Sequence, residues 1–209
     1  MRQTQSWLAR AGDQWSVLVF GAIVVVWNLI VLVRGLIPLF SEPEVDVTVL
    51  LSGAELPLPI GPGGTPVAAG VSSAQVAVSD LGPFMMIWAV GAVAVVPLAT
   101  IAVAVLVLIL SRNILRGQFF SRTNTWIITS ISLVIAGAWV LDLGCTLFTS
   151  NWALVQVAGP EGADAFSPHS VIEDTPTAWL PIFAAIAMGA LAAAFSAGER
   201  MQRDTEGLV

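Results

Sequence analysis

The chain of 209 residues contains no tyrosine, one cysteine and one histidine, and none of its eight basic residues is a lysine. A lone Cys145 excludes an intrachain disulfide framework and any cysteine-rich metal site. The all-arginine basic set reads as genome composition, not as chemistry. Charge is scarce as well: 11% of residues are charged, against about 25% in soluble domains. A net charge of −6 without a basic patch excludes nucleic-acid binding. Disorder, collagen and coiled coil are excluded by the same composition, because 56% of the residues are apolar and mean hydropathy is +0.87. What remains is a polytopic membrane protein.

Four segments are long and apolar enough to cross a hydrocarbon core of about 30 Å. They are Trp15–Ile37, Phe84–Leu110, Trp126–Thr149 and Ala178–Ala197. At 1.5 Å per residue the second is about 40 Å long, which predicts tilt, and Pro97 near its middle predicts a kink. The first span follows Arg2 and Arg10 as a signal peptide would, but its apolar run is too long and no small-x-small cleavage pattern precedes Pro38. It is expected to stay as an uncleaved anchor. Before it, Trp7 and Leu8 among polar neighbours suit either a short interfacial helix or a frayed tail.

Orientation follows from arginine placement. Arg2 and Arg10 precede the first span, Arg112, Arg116 and Arg122 lie between the second and third, and Arg200 and Arg203 follow the fourth. The loops 38–83 and 150–177 contain no arginine and hold nine of the fourteen acids. The expectation is a bacterial plasma-membrane protein with both termini and loop 111–125 cytoplasmic. Trp15 and Trp126 at the inner ends, with Trp88 and Trp179 at the outer ends, suit aromatic belts, whereas Trp27 and Trp139 are expected to pack between helices.

Loop 38–83 is too long for a plain connection. Val45-Asp46-Val47-Thr48-Val49 alternates with the period of a half-buried strand, with Val47 and Val49 facing inward. Leu56, Leu58 and Ile60 continue the alternation, with Pro57 and Pro59 on the opposite face, the mark of an edge strand. Gly61-Pro62-Gly63-Gly64 is a turn, and Ala74–Val78 supplies the next strand. In the second outer loop, Trp152–Val157 is a weaker strand candidate. The fold class is thus a membrane α-helical, four-transmembrane-helix bundle, one domain over 1–209, with a small extracytoplasmic β-sheet cap built mainly from the first outer loop. A hairpin alone is marginal, so the cap needs the second loop or the helix ends.

Catalytic constellations do not emerge. His169 has Asp164, Glu173 and Asp174 nearby in sequence, but one histidine among acids reads as a solvated loop sooner than as a metal site. Cys145 lies inside a span with no candidate base nearby, and Gly61–Gly64 is no phosphate loop. The expectation is a non-enzyme without cofactor or metal. Ala185-x-x-x-Gly189-x-x-x-Ala193 is a small-residue ridge suited to helix packing within the bundle.

The most specific segment is the cytoplasmic loop. Gly117 suits a helix C-terminal turn and Ser121 an N-cap, although Asn124 is not the Glu or Gln of a full capping box. Phe119 and Phe120 are expected to tuck back against the inner membrane surface. The pattern Arg116, Gly117, Phe120, Ser121, Asn124 resembles a basic-Gly-x-x-Phe-Ser/Thr-x-x-Asn loop found in a bacterial domain-of-unknown-function family of four-span integral membrane proteins. The resemblance implies neither enzyme activity nor substrate. It does imply a protein partner, since some family members are thought to be encoded beside small helix-turn-helix regulators. The layout is also similar to claudin-like proteins, whose paired cysteines are missing here.

Two functions compete on this reading, with a membrane-embedded enzyme ranked last. One is a regulatory, sensing or accessory membrane protein that binds a cytoplasmic regulator, a membrane subunit or a second copy of itself. The other is a small transporter or channel using Asp142. Arg34 and Asp142 are the charges lying clearly within the spans. They sit about 6 Å apart in height on the proposed spans, and an intramembrane charge pair is expected, structural first and ion-coupling second.

Overall fold

The structure, a computed structural model, describes residues 2–41, 44–79, 82–165 and 176–206. In chain order its elements are α1 (Arg2–Ser41), β1 (Glu44–Leu58), β2 (Val67–Ser79), α2 (Pro83–Leu115), α3 (Arg122–Ala165) and α4 (Leu180–Glu206). All four helices contain stretches long and apolar enough to cross a membrane: Val17–Ser41, Pro83–Leu115, Arg122–Glu161 and Leu180–Met201. Two units emerge from the contacts, one comprising Met1–Val33, Val95–Trp139 and Pro181–Val209, the other Arg34–Ala94 and Val140–Leu180.

Helix α1 begins at Arg2, so the stretch around Trp7 is helical and continuous with the first span, not a frayed tail. Its side chains before Val17 lie outside the described residues. The helix also runs past Ile37 and through Pro38, and α2 continues unbroken through Pro97. Trp27 departs from its expected place between helices and is 65% exposed. It shares an apolar groove with Ile23, Val26 and Ile30, spaced as one helical face. Because α1 is apolar on every side there, no period in the sequence marks which face is buried.

In the unit containing the strands, β1 and β2 form a two-stranded antiparallel sheet. The connecting Pro62–Gly64 is a 3-10 turn in which Gly63 and Gly64 take φ of 70° and 79°, conformations that suit glycine. Register runs from Glu44 opposite Ser79 to Leu58 opposite Val67, with an irregularity between Leu50 and Ala54. Alternation holds as expected: Val47, Val49 and Val78 are buried, whereas Asp46 and Thr48 are exposed. Beyond the irregularity the face changes, and Leu56, Leu58, Ile60 and Val67 are all exposed.

This sheet is not self-sufficient. Its buried valines share one core with Leu39 of α1, Ala89 of α2, and Ala153 and Leu154 of α3. Gln156 Nε2 adds a hydrogen bond to the Ser79 carbonyl at 2.8 Å. The helix ends thus supply the packing layer that a lone hairpin lacks.

The strand expected at Trp152–Val157 is helical instead, because α3 continues well beyond Thr149. A short apolar run has no period that separates strand from buried helix, and no breaker stands before Gly159. Gly159 has φ of 74° and is followed by Pro160, so the regular helix is interrupted only there. Among the described residues the β element therefore comes from residues 44–79 alone.

In the same unit Trp88 of α2 stacks on Phe148 of α3 with centroids 4.7 Å apart. Gly91 meets Cys145 so closely that a Cβ at Gly91 would fall 2.5 Å from the Cys145 Sγ. In the other unit, Gly21 of α1 faces Leu108 of α2. There the Ser132 hydroxyl of α3 donates to the Ala185 carbonyl of α4 at 2.7 Å. Gly189 lies beside the same serine, so Ala185 and Gly189 of the small-residue ridge pack within the fold. Ala193 is exposed, and Ala192 is the buried residue at that level.

Candidate functional site

The α2–α3 connection carries the most defined local chemistry. At the end of α2 the Gln118 N–H donates to the Asn113 carbonyl at 3.1 Å, and the Gly117 N–H to the Ile114 carbonyl at 2.9 Å. That pair of bonds is a Schellman motif, which needs a left-handed residue at Gly117, and its φ is 80°. At the start of α3 the Asn124 N–H donates to the Ser121 Oγ at 3.2 Å, making Ser121 the N-cap.

Asn124 occupies the centre. It is fully buried, and its Nδ2 donates to the carbonyls of both Gln118, at very short range, and Phe119, at 3.1 Å. Its Oδ1 accepts from the Asn113 Nδ2 at 3.0 Å. Each polar atom of this carboxamide is therefore used, which is what makes its burial tolerable. A capping box would send the side chain at this position back to the N-cap N–H. Asn124 reaches further, to two loop carbonyls that no helix satisfies.

Phe120 packs against Phe195 of α4, centroids 5.4 Å apart, and its ring covers Gly198. Phe119 is 55% exposed on the protein surface. Of the five residues that the loop pattern singled out, Gly117, Phe120, Ser121 and Asn124 thus each set the conformation of the connection. The fifth, Arg116, is exposed. Arg112, Gln118, Arg122 and Thr123 are exposed beside it. The segment from Ser111 to Thr125 carries three arginines and no acid.

The intramembrane pair expected from sequence is not brought together by any described contact. Arg34 is exposed and Asp142 half-buried, and no ion pair joins them. Among the described residues no group of three or more His, Cys, Asp or Glu side chains could hold a metal ion. His169, Glu173 and Asp174 lie outside the described residues, as does the Asp164 side chain.

Sequence reasoning located Gly117 and Ser121 by their capping chemistry. It missed Asn113 altogether, and it missed what Asn124 does. The signal was there only as a pair of asparagines flanking a short loop, one in each adjoining helical turn.

No protein-family model, no curated protein and no solved structure matches the chain.

Proposed function

We propose that the chain is an integral, multi-pass membrane protein of regulatory or accessory type that works through protein contacts. In this reading both termini and loop 111–125 face the cytoplasm, and the hairpin of β1 and β2 faces the other side. The arginine asymmetry along the sequence supports that orientation. The likeness of Arg116, Gly117, Phe120, Ser121 and Asn124 to the four-span bacterial family supports a cytoplasmic regulator as the partner.

The observation that carries the reading is the Asn124-centred hydrogen-bond set. It holds a short cationic and aromatic surface, with Arg116, Gln118, Phe119 and Arg122 exposed, in one conformation before any partner arrives. A pre-ordered segment loses less entropy on binding than a floppy one.

Orientation is tested with single cysteines at Ser73 and Thr123 in a Cys145→Ser background. An impermeant thiol reagent on intact cells should label position 73 and spare position 123; the reverse pattern overturns the orientation. Partner binding is tested by gentle purification from the native host. A protein co-eluting in fixed ratio with the wild type should be lost from an Arg116→Gln, Phe119→Ala variant. Equal recovery with both chains removes the loop as its docking surface.

A second reading is transport through Asp142, favoured by a carboxylate half-buried in an apolar stretch of α3. Proton or cation flux in proteoliposomes that falls in Asp142→Asn would replace the first reading with this one.

A further inference from the structure

Within the unit formed by Met1–Val33, Val95–Trp139 and Pro181–Val209, α1 and α2 line two open grooves near the Gly21–Leu108 contact. Both grooves are lined in part by Val17 and Leu108. They differ in chemistry. The groove of about 390 Å³ is lined by Val17, Phe20, Val24 and their neighbours, with no polar side chain. The groove of about 500 Å³ is apolar along Val17, Leu18, Val105, Ile109 and Leu115, but Ser111 and Arg112 also line it.

Arg112 sits in the last turn of α2 with its side chain exposed, and its guanidinium has no hydrogen-bond or ion-pair partner among the described residues. An unpaired guanidinium in the lining of an otherwise apolar groove matches a molecule that carries both an anion and a hydrocarbon chain. Arginine's fork suits the oxygens of a phosphate in particular. Arg116 follows one turn later in the same local field, with no acid between Ser111 and Thr125 to cancel it.

We infer that this groove is a binding site for an anionic phospholipid, one acyl chain lying along Val17, Val105 and Ile109 and the headgroup phosphate against Arg112 and Ser111. The inference rests on the membrane reading above and adds a ligand class to it. The neighbouring groove has the hydrocarbon lining without the cation, so it selects no headgroup. Ser111 can donate its hydroxyl to a phosphate oxygen that Arg112 leaves free.

The test uses the full chain purified in a mild detergent, titrated with phosphatidylglycerol or phosphatidylcholine of identical chains and read by native mass spectrometry. The wild type should retain one phosphatidylglycerol about fivefold better than phosphatidylcholine, the factor one arginine supplies beside an anionic headgroup. Arg112→Gln should reduce that preference to parity. Ile109→Trp, which fills the groove, should lower retention of both lipids, with Val105→Phe as the alternative should the first fail to fold. Arg200→Gln, a change in an exposed arginine that does not line the groove, should leave both unchanged.

Equal retention of the two lipids by the wild type overturns the proposal, as does a preference that survives Arg112→Gln. A loss in Arg200→Gln as large as that in Arg112→Gln also overturns it, because the effect would then be one of overall charge. Alkaline carbonate extraction of cells separates this outcome from failure of the membrane reading. A chain released by carbonate refutes membrane integration itself, whereas a retained chain without lipid preference refutes only the site.

Discussion

Asn113 in the last turns of α2 and Asn124 in the first turn of α3 are joined side chain to side chain by a 3.0 Å hydrogen bond. The bond fixes the rotation of the Asn124 carboxamide, so that its Nδ2 is aimed at the two loop carbonyls. Asn113 acts twice, because its own backbone carbonyl accepts the Gln118 N–H of the Schellman motif. The two asparagines thereby tie a helix end, a turn and a helix start into one hydrogen-bonded unit.

Replacing Asn124 with alanine removes donors from two carbonyls and the acceptor from Asn113. Leaving a polar group unpaired costs about 1–3 kcal/mol where it is buried and less where water reaches it, as at the part-buried partners here. Asn124→Ala should lower the thermal midpoint in detergent and speed tryptic cleavage at Arg116 and Arg122. Asn124→Asp should be worse, since an ionised carboxylate has no proton to give either carbonyl. Cleavage rates equal to wild type would show that the loop's order does not depend on this residue.

Gly117→Ala places a Cβ on a residue with φ of 80°, although no atom lies within 4 Å of the added carbon. The cost is therefore backbone strain alone, about 1–2 kcal/mol. Gly117→Asn should lose visibly less, because asparagine tolerates the left-handed region. A thermal-shift series of the three proteins checks the order Gly, Asn, Ala.

In the hairpin, Val47→Asp should lower stability clearly more than Thr48→Asp. Val47 is 6% exposed in a core shared with three helices, whereas Thr48 faces outward. An aspartate at 47 has no described partner to offset its desolvation. Equal midpoints for the two variants would contradict the packing of this sheet.

Gly91→Ala should destabilise, because the new methyl meets Cys145 Sγ. Adding Cys145→Ala removes the sulfur and should restore much of the loss. The double variant is thus expected to be more stable than Gly91→Ala alone, a non-additivity that direct contact requires.

Arg34→Gln and Asp142→Asn probe the charges inside the spans. With no ion pair between them, their effects on the thermal midpoint should add to within about 0.5 kcal/mol. A coupling above that would restore the pair that the sequence suggests.

Legibility in the sequence tracked the range of the causes. The β1–β2 hairpin was readable because alternation around Val47 and the Gly61–Gly64 turn are local signals. Gly117 and Ser121 were readable for the same reason, since each acts on its own backbone or three residues away. The continuation of α3 through Trp152–Val157 was not, because helix and strand are equally consistent with six mostly apolar residues. What decides it is packing of Ala153 and Leu154 on the hairpin. The exposed face of Trp27 was hidden by a helix apolar on all sides. Asn124 was legible as a motif position and not as a clamp, since spacing does not encode where a side chain reaches back.

The connection between α2 and α3 also has a bearing on the order in which the chain assembles. Its hydrogen bonds span at most eleven residues, so closing it costs little chain entropy. Local contacts of this kind form fastest, and α2 with α3 is accordingly the helical pair able to form before either flanking helix has found its place. The hairpin is the opposite case. Its core draws on Leu39 and Ala89, on the two helices that flank it in the chain, and on Leu154 of α3, distant in sequence, so the sheet gains its full support only when α3 has also arrived. A mutation in the loop should therefore slow assembly from its start, whereas one at Val49 should hasten the reverse process and leave the early steps untouched.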